Sequence, residues 1–594
     1  MKAKICVMFL LLTILGCTEK STETNMPSGG DVVEKAELVL MNGKIYTMEE
    51  EKPWAGAVAV TGNMIVAVLD AGEPVVDYIG PETKVYDLEG KFVTPGFIDS
   101  HTHMAGFGAQ QNDIDLMPAS DDEGLRTEVK RVVDILGDGE WITGGAWEGH
   151  KIWEADWRER EQLKENRWEP TRAAIDDISP NNPCLLSSYD RDLYLANTAA
   201  LRAANLEEAT LEGMKLDEAG KPTGLLYQGS PAIAQIRAVV KSKSEERIMD
   251  ELRAALRVMA ERGITEVHDI SSERLMKRFA TLQENGELIT RVWGRPSIQN
   301  AQSFKERGIE MNTHPVSGER DYFLRWGAYK GYYDGFLGSH TALLFAPYVD
   351  KPETSGGYRA DTSDDPRQMI KSPDKFYDFM KTGFADGFAT TAHAIGSRGV
   401  SEFLDDCERL VEETGKELNR FRAIHAEIVM PDDFARFVEL GMIAETNPSQ
   451  IADDMRWLKD RLGPEREKMC YPFKDYVDNG VVMTFGSDVP GNAGATFSNH
   501  PALAIQAAVH RTNPAGAPEG GWVPEQKISV HEALKAFTIN GAYAVYDEDI
   551  RGSIKVGKLA DLAVCTVNIV EQPEDILQME IAMTIVDGKI VYEK

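Results

Sequence analysis

Short apolar runs alternate with helical stretches between about residues 95 and 545 of the chain. Eight of these runs have the length and residue content of buried strands. They are 97–103, 264–269, 291–297, 327–333, 389–394, 421–427, 442–447 and 481–487. Strands that alternate with helices usually pair in parallel, so the pattern predicts a TIM barrel of the α/β class.

A long insertion, about residues 108–260, separates the first two predicted strands. It contains a Trp-rich segment around Trp147, a strand-like Leu185-Leu186 pair and a helix-like run over 245–262. Loops that follow barrel strands gather at the C-terminal face, where barrel enzymes have their active sites. We therefore expect the insertion to form a lid or wall over that face.

Both ends of the chain show β-hairpin patterns instead. Asn42-Gly43 separates two strand-like runs near one end, and Asp587-Gly588 does the same near the other. Asn-Gly and Asp-Gly are typical of tight hairpin turns. We predict that regions 36–94 and 546–594 form one small β-sandwich beside a barrel domain at 95–545.

The first residues have the pattern of a targeting segment. Lys2 and Lys4 precede an apolar stretch, residues 5–15, that is too short to span a bilayer. Ile14-Leu15-Gly16-Cys17 resembles a bacterial lipobox, which predicts a signal peptide at 1–16 and a lipid on Cys17. A flexible tether would follow at 17–35. The alternative is an ordinary secretory signal with an incidental cysteine.

Either interpretation places the mature protein outside the cytoplasm. The lipobox interpretation makes it an extracytoplasmic, membrane-anchored bacterial lipoprotein on the periplasmic or surface side.

Composition and charge exclude some partners. The chain has 594 residues, of which 42% are hydrophobic and 27% charged, as in a globular protein with a large core. Asp and Glu outnumber Lys and Arg by 96 to 64, giving a net charge of -32. Because an anionic surface repels nucleic acid and anionic lipid, we expect no nucleic acid partner and membrane contact only through the lipid. We favour solubility as the role of this charge over an acidic interaction surface. Homo-oligomer formation stays open.

Four cysteines follow the N-terminal segment: Cys184, Cys407, Cys470 and Cys565. They form no CxxC motif and no closely spaced cluster. A large core needs no disulfides, so we predict buried free thiols. Disulfide pairing in an oxidising compartment is the alternative.

Side chains that can bind metal lie at or just after several predicted strands. His101 and His103 end the first strand and, because side chains alternate, point to the same side. Imidazole nitrogens suit zinc and its neighbours in the periodic table. The further candidates are Lys330, His393, His425 and Asp488. We expect all six to converge on one metal centre, because strand ends meet at one face of a barrel.

Each of these residues alone also has a structural explanation, such as a core histidine that is satisfied by hydrogen bonds. Lys330 differs, because an ammonium inside an apolar, aromatic strand must be paired, neutralised or modified. The coincidence of six such residues at successive strand ends favours the metal hypothesis.

The motifs around these residues resemble those of the amidohydrolase superfamily, in its family-3 branch, which includes N-substituted formamide deformylases. The resemblance extends from about residue 36 to the C-terminus. Its motifs are VTPGFIDSHTH at 93–103, YKGYYDGFLGSHTA at 329–342, HAIG at 393–396, AIHAE at 423–427, GSDVP at 486–490 and GSIKVGKLADL at 552–562.

This resemblance implies a metal-dependent hydrolase and a role for each candidate. His101 and His103 would bind one metal ion, and His393 and His425 a second. Asp488 would be a ligand that also moves a proton. Lys330 would be carboxylated by CO2 and would bridge the ions. The expected metal is zinc, as one ion or two.

The chain departs from related sequences at several positions. Asp190-Arg191-Asp192 stands where they often have Asp-Gly-His, and Gln228, Ser397 and Asn447 stand where they often have Glu, Asp and Gln. The predicted ligands are retained, so we expect the chemistry to be kept and the substrate to differ. The candidate substrate-pocket residues, each of which also has a structural interpretation, are Trp147, Tyr189, Asp192, Asn197 and His340.

The functional hypothesis is a hydrolase that cleaves a carbon–nitrogen bond, other than a peptide bond, in an amide, N-substituted formamide or cyclic amide. Its partner would be a small-molecule substrate. One alternative is an esterase or lactonase at the same metal centre. A second is a catalytically inactive binding protein, which the retention of every predicted ligand disfavours.

Overall fold

The computed structural model describes residues 35–149, 167–188, 191–359, 373–418, 420–492, 495–496 and 499–594. The predicted signal peptide, Cys17 with most of the predicted tether, and the pocket candidate Tyr189 lie outside the described residues.

A closed barrel of eight parallel strands forms the centre of the fold. The strands are β1 (Phe97–Thr102), β2 (Ile264–Ile270), β3 (Arg291–Arg295), β4 (Leu324–Trp326 and Tyr329–Tyr332), β5 (Thr390–Ala394), β6 (Arg422–His425), β7 (Ile443–Thr446) and β8 (Val482–Phe485). The chain pairs them in two sheets that meet within β4. Parallel bridges between Ser297 and Lys330 and between Thr102 and Val489 join the two sheets. The predicted α/β barrel is confirmed.

The barrel strands are buried along nearly their whole length, as parallel strands covered on both faces are. β4 is the one that differs most from its predicted bounds, 327–333, because it begins earlier and is interrupted at Gly327. A Cβ at Gly327 would lie 2.4 Å from the Trp293 ring, so this tight contact with β3 requires glycine.

Helices follow the strands and cover the barrel. They are Glu245–Glu261, Glu273–Glu284, Ala301–Arg307, Pro373–Ala385, Ser397–Thr414, Asp433–Glu439, Ile451–Asp454, Leu458–Leu462, Pro464–Glu467, Phe473–Asp478, Pro501–His510, Val530–Phe537 and Ile539–Tyr543. Short 3-10 turns lie at Ile298–Asn300, Pro448–Gln450 and Pro524–Gln526. Ser244, Ser272 and Ser529 cap helix N-termini with their side chains, as serine commonly does.

The small β domain combines both ends of the chain in two sheets. One sheet contains Leu38–Met41, Ala57–Thr61, Met64–Leu69 and Lys84–Asp87, and the turn Val75–Tyr78 lies between its strands in the sequence. The other contains Lys44–Tyr46, Trp54–Ala55, Phe92–Pro95, Leu562–Cys565, Ile581–Val586 and Lys589–Glu593, with the turn Pro573–Gln578. Leu562–Cys565 pairs antiparallel with Phe92–Pro95. Apolar side chains such as Leu40, Val93 and Leu562 form their shared core.

The insertion after β1 has a sheet of its own. Its strands, in spatial order, are Met214–Leu216, Pro222–Tyr227, Leu193–Ala196, Cys184–Ser188 and Ile142–Trp147. The accompanying helices are Met104–Asn112, Asp122–Ile135, Thr198–Ala203 and Pro231–Val239, with the turn Arg172–Ala174. Arg247, on the helix Glu245–Glu261 that leads into β2, binds the earlier part of the insertion by donating to the Trp141 carbonyl at 2.9 Å and pairing with Asp113 at 2.8 Å.

All four cysteines of the described chain are buried free thiols, as predicted. A short hairpin, Gly491–Asn492 and Ala495–Thr496, follows β8. Among the described residues, no helix combines the length and the apolar content that crossing a bilayer requires.

Candidate metal centre

His101 and His103, at the end of β1, lie beside Asp488, which follows β8. The Asp488 amide donates to the His101 carbonyl at 2.8 Å, and the His103 amide donates to the Val489 carbonyl at 2.9 Å. As a result, Asp488 Oδ1 lies 3.4 Å from His101 Nε2 and 3.3 Å from His103 Nε2. Two imidazole nitrogens and a carboxylate oxygen at this spacing can hold a cation.

His425 and His393 extend this group across the barrel. The ring centres of His101 and His425 are 5.3 Å apart, and those of His425 and His393 are 4.6 Å apart. His103 lies 5.4 Å from His101 on the other side. The four imidazoles therefore form a continuous row over the ends of β1, β5 and β6.

Lys330 is buried inside β4, which pairs in parallel with β5, the strand that carries His393. Its Nζ is 4.7 Å from the centre of the Tyr332 ring. Burial, aided by the charge of Arg295, lowers the Lys330 pKa to about 7. A large share of the side chain is therefore the neutral amine near pH 7, which is the form that reacts with CO2.

The ligand candidates have the protonation states that a metal ion requires. Burial is the main cause that holds the pKa of His101 and His393 well below the usual value, and it lowers that of His425 to about 4. For Asp488, burial acts to raise the pKa, but the hydrogen bond with His103 and the nearby histidines outweigh it and lower the pKa. Neutral imidazoles and an ionised carboxylate bind divalent metals.

A hydrogen bond orients each of the three buried histidines. His101 Nδ1 lies 2.7 Å from Glu445 Oε1, and His425 Nδ1 lies 2.7 Å from Asn447 Oδ1. Since both oxygens can accept, each Nδ1 carries the proton and each Nε2 keeps its lone pair for a metal. His393 instead uses Nε2, which lies 3.1 Å from the Gly335 carbonyl, so its Nδ1 is the nitrogen left for a ligand. Among the described residues, the donor set of His101, His103 and Asp488, whose ligand atoms lie within 4.8 Å of one another, fits a divalent metal ion.

His425 and Asp488 adopt left-handed backbone conformations, with φ of +71° and +59°. Such a conformation costs a non-glycine residue about 1–3 kcal/mol, and it persists where the surrounding structure enforces it. Here it directs His425, at the end of β6, and Asp488, just after β8, toward His101.

Three residues that the sequence analysis did not select as site residues also contact this group. Glu445 holds His101, and Gln450 Nε2 donates to Asp488 Oδ2 at 3.2 Å. The Phe336 ring, 39% exposed, lies edge-on to His393 at 5.0 Å. A glutamate inside the apolar strand β7 was a signal of the same kind as Lys330, whereas Gln450 and Phe336 lie in connections without a distinctive motif.

The predicted pocket residues lie in different surroundings. Trp147 is fully buried in the apolar core of the insertion, and Asn197 caps helix Thr198–Ala203 and also accepts from the Cys184 amide at 2.9 Å. Asp192 is partly exposed, 3.8 Å from Arg167. His340 Nε2 donates to Asp350 at 3.0 Å. These contacts give Trp147 and Asn197 structural roles, and substrate contact by any of the four stays a prediction.

Comparison with protein families assigns most of the chain to one family. The profile described as "Amidohydrolase family" matches residues 84–592. The chain belongs to the amidohydrolase family. It is thus a metal-dependent hydrolase that acts on carbon–nitrogen bonds.

Among curated relatives of this amidohydrolase, "Protein LONG AFTER FAR-RED 3" of Arabidopsis thaliana is 29% identical, over 94% of this chain and 92% of its own length. "Putative amidohydrolase YtcJ" of Bacillus subtilis is 28% identical, over 93% and 98%. "N-substituted formamide deformylase" of Arthrobacter pascens is 25% identical, over 95% and 99%.

A solved structure with the same fold is an uncharacterized metal-dependent hydrolase from Pyrococcus furiosus. It aligns with a TM-score of 0.67 and 25% identity, over 90% of the present amidohydrolase and 99% of that chain. A Pyrococcus horikoshii structure, also an uncharacterized metal-dependent hydrolase, aligns with a TM-score of 0.66. Both support the barrel architecture.

Proposed function

We propose that this amidohydrolase cleaves the carbon–nitrogen bond of an amide, N-substituted formamide or cyclic amide, with zinc as its metal. The observation that carries the proposal is the position of Asp488, whose Oδ1 lies within 3.4 Å of Nε2 of both His101 and His103. A carboxylate at this place can serve a metal and a reacting water together. The similarity to a formamide deformylase along nearly the whole chain supports the substrate class.

The residues that would hold the metal are His101, His103, Lys330, His393, His425 and Asp488. A divalent ion bound there supplies a Lewis acid that polarises the substrate carbonyl and makes water acidic. We propose in addition that Lys330 carries a CO2-derived carbamate, because its amine is largely neutral and lies close enough to His101 and His393 for its charged form to lower their pKa.

Asp488 has the position and charge of the proton carrier. As an ionised carboxylate it can take a proton from the attacking water as the new carbon–oxygen bond forms. It can then give that proton to the leaving nitrogen as the carbon–nitrogen bond breaks, so the products are a carboxylic acid and an amine. Gln450, donating to Asp488 Oδ2, fixes the direction of the carboxylate during both transfers.

Access to the site is consistent with a small-molecule substrate. The His103 side chain is 36% exposed and Asp488 is 18% exposed, while His101 and His393 are buried. A substrate can therefore approach from the side of His103 and Asp488. Phe336, exposed beside His393, offers an apolar contact near the row of histidines.

Metal removal tests the proposal. The protein is stripped with a chelator, assayed against a panel of amides, formamides and cyclic amides, and assayed again after zinc or manganese is added. We expect activity to disappear and return, and His101→Ala to abolish it because one ligand is lost. His510→Ala is the control, since His510 binds the Pro573 carbonyl outside this site.

Two results would contradict the proposal. Turnover of esters or lactones, without turnover of matched amides, would make the protein an esterase at the same centre. Metal binding without turnover of any substrate would indicate a binding protein.

For the location of the protein, we propose a lipid anchor on Cys17 that holds the enzyme on the extracytoplasmic side of a bacterial membrane. The support is the lipobox-like Ile14-Leu15-Gly16-Cys17 after a short apolar stretch.

A further inference from the structure

Glu445, on β7, is a carboxylate enclosed within the barrel directly below the histidine row. Arg295 Nη1 donates to both of its oxygens, at 2.8 and 2.9 Å, and Arg422 Nη1 donates to Oε2 at 3.1 Å. The side chains of all three residues have no exposed surface. Two buried guanidinium groups against one carboxylate keep that carboxylate charged.

The same carboxylate reaches a predicted metal ligand. Glu445 Oε1 accepts from His101 Nδ1 at 2.7 Å. Arg295 Nη2 meanwhile donates to the Ser100 carbonyl at 3.0 Å and to the His268 carbonyl at 2.9 Å, and its 3.3 Å contact with His101 Nδ1 is longer than the contact that Glu445 makes with that nitrogen. Glu445 and its arginines thus connect β7 with β3 and β6, and they hold both the side chain of His101 and the backbone just before it.

The other histidines have weaker acceptors on their second nitrogen. His425 donates to the amide oxygen of Asn447, and His393 donates to the backbone carbonyl of Gly335. Among the described hydrogen bonds of the three buried histidines, only that of His101 goes to a carboxylate. An anionic acceptor makes an imidazole a stronger electron donor at its other nitrogen than a neutral acceptor does.

We propose that Glu445 is a positioning residue that fixes the tautomer of His101 and strengthens its Nε2 as a metal ligand. The proposal rests on the metal-binding role proposed above for His101. Arg295 and Arg422 belong to the same hydrogen-bond network, because they hold the Glu445 carboxylate in place and neutralise its charge.

The barrel contains a matched control for the loss of such a charge. Glu266, on β2, is equally buried, accepts from Arg551 Nη2 at 2.7 Å and lies 4.0 Å from Arg325 Nη2. Both arginines also pair with Asp547, so this ion cluster keeps one carboxylate when Glu266 is replaced, and no described hydrogen bond joins Glu266 to any of the six predicted metal ligands. Glu266→Gln therefore measures the structural cost of removing a buried charge.

The experiment measures the zinc affinity of the full-length protein by chelator competition, together with its melting temperature. We expect Glu445→Gln, which keeps the reach but removes the charge, to weaken zinc binding by about 10- to 100-fold. Glu266→Gln should keep the zinc affinity of the unchanged protein within about 2-fold, although we expect both variants to melt earlier because each removes a carboxylate from a buried ion cluster.

Glu445→Asp covers the case in which Glu445→Gln does not fold. It keeps the charge beside both arginines but withdraws the oxygen from His101 Nδ1, so zinc affinity should again fall. An unchanged affinity in either folded Glu445 variant, or an equal loss in Glu266→Gln, would overturn the proposal. Amide turnover is measured separately. If the Glu445 variants lose zinc affinity as expected but the unchanged protein cleaves no amide, only the proposed function is refuted and the role of Glu445 stands.

Discussion

At the scale of single residues, the candidate centre depends on side chains whose ordinary chemistry has been altered by burial. Lys330 and three histidines lie where water cannot stabilise their charged forms, so their pKa values fall. In the sequence, the histidines stand out because they lie at or just after predicted strands, and Lys330 because an ammonium within an apolar strand needs a partner or a modification. The sequence did not reveal their partners, because Glu445, Asn447 and Gln450 become neighbours of the ligands only when separate strands pair.

Replacing Lys330 tests whether its nitrogen takes part in metal binding. We expect Lys330→Ala to weaken zinc binding by more than the about 10- to 100-fold loss of affinity that is typical of an outer hydrogen-bond partner, because a direct ligand is removed. Little zinc should therefore stay with the protein after desalting. If a carbamate on Lys330 bridges two ions, short carboxylic acids such as acetate should restore part of the metal binding and turnover. Zinc content is measured by elemental analysis after desalting.

Retention of the full zinc content in Lys330→Ala would exclude a ligand role. Arginine at the same position is an informative companion, because Lys330→Arg keeps a cation but cannot form the carbamate. It should behave like the alanine variant in zinc content.

At the scale of elements, the site is assembled where β8 closes against β1. The amide of Asp488 and the carbonyl of His101 meet across this seam, as do the amide of His103 and the carbonyl of Val489. The close contact between the end of β8 and the end of β1 requires glycine at position 486. A Cβ at Gly486 would lie 2.6 Å from the His101 amide nitrogen and 2.5 Å from its Cβ.

We therefore expect Gly486→Ala to separate the two strands and damage the centre. An added methyl group in a packed position costs about 1–3 kcal/mol of folding free energy, and here the displaced element carries two ligands. Zinc affinity should fall together with the melting temperature. Gly137→Ala, where a Cβ meets no atom within 4 Å, is the control and should leave both unchanged. Unchanged zinc affinity in Gly486→Ala would contradict this prediction, because it would show that β1 and β8 can separate without harm to the metal centre.

Most barrel strands could be predicted from the sequence, because a buried parallel strand is a short, continuous apolar run. β4 was placed only in part, since its first segment, Leu324–Trp326, pairs with β3 and its second, Tyr329–Tyr332, pairs with β5. The sheet of the insertion was predicted only at Leu185-Leu186. Its other strands have three to six residues, and their pairing depends on contacts with distant parts of the chain.

At the scale of the whole molecule, one enzyme combines a barrel, an insertion that follows β1 and a β domain made from both ends of the sequence. The family comparison covers residues 84–592, so the catalytic assignment applies to nearly the entire described chain. The N-terminal region was interpreted from its sequence alone, because a lipobox is a local pattern that a processing enzyme reads before the protein folds.

Cys17→Ser tests the membrane anchor. Without the thiol no lipid can be attached, so we expect the protein to move from the membrane fraction to the soluble fraction, with its specific amidohydrolase activity unchanged. Cell fractionation followed by detection of the protein measures this. Cys6→Ser, in the predicted signal peptide, is the control and should leave the protein in the membrane fraction. A Cys17→Ser protein that stays in the membrane fraction would rule out lipidation at this residue.

The pairing of Leu562–Cys565 with Phe92–Pro95 has a consequence for biosynthesis. Phe92–Pro95 runs directly into the strand that carries His101 and His103 and pairs on one side with Lys44–Tyr46, yet its partner on the other side is synthesised only after the whole barrel. Until Leu562–Cys565 has been synthesised, one edge of that early strand presents unpaired amides and carbonyls, which readily recruit strands from other chains. A transcript truncated before codon 562 should therefore yield aggregated polypeptide rather than a shortened enzyme.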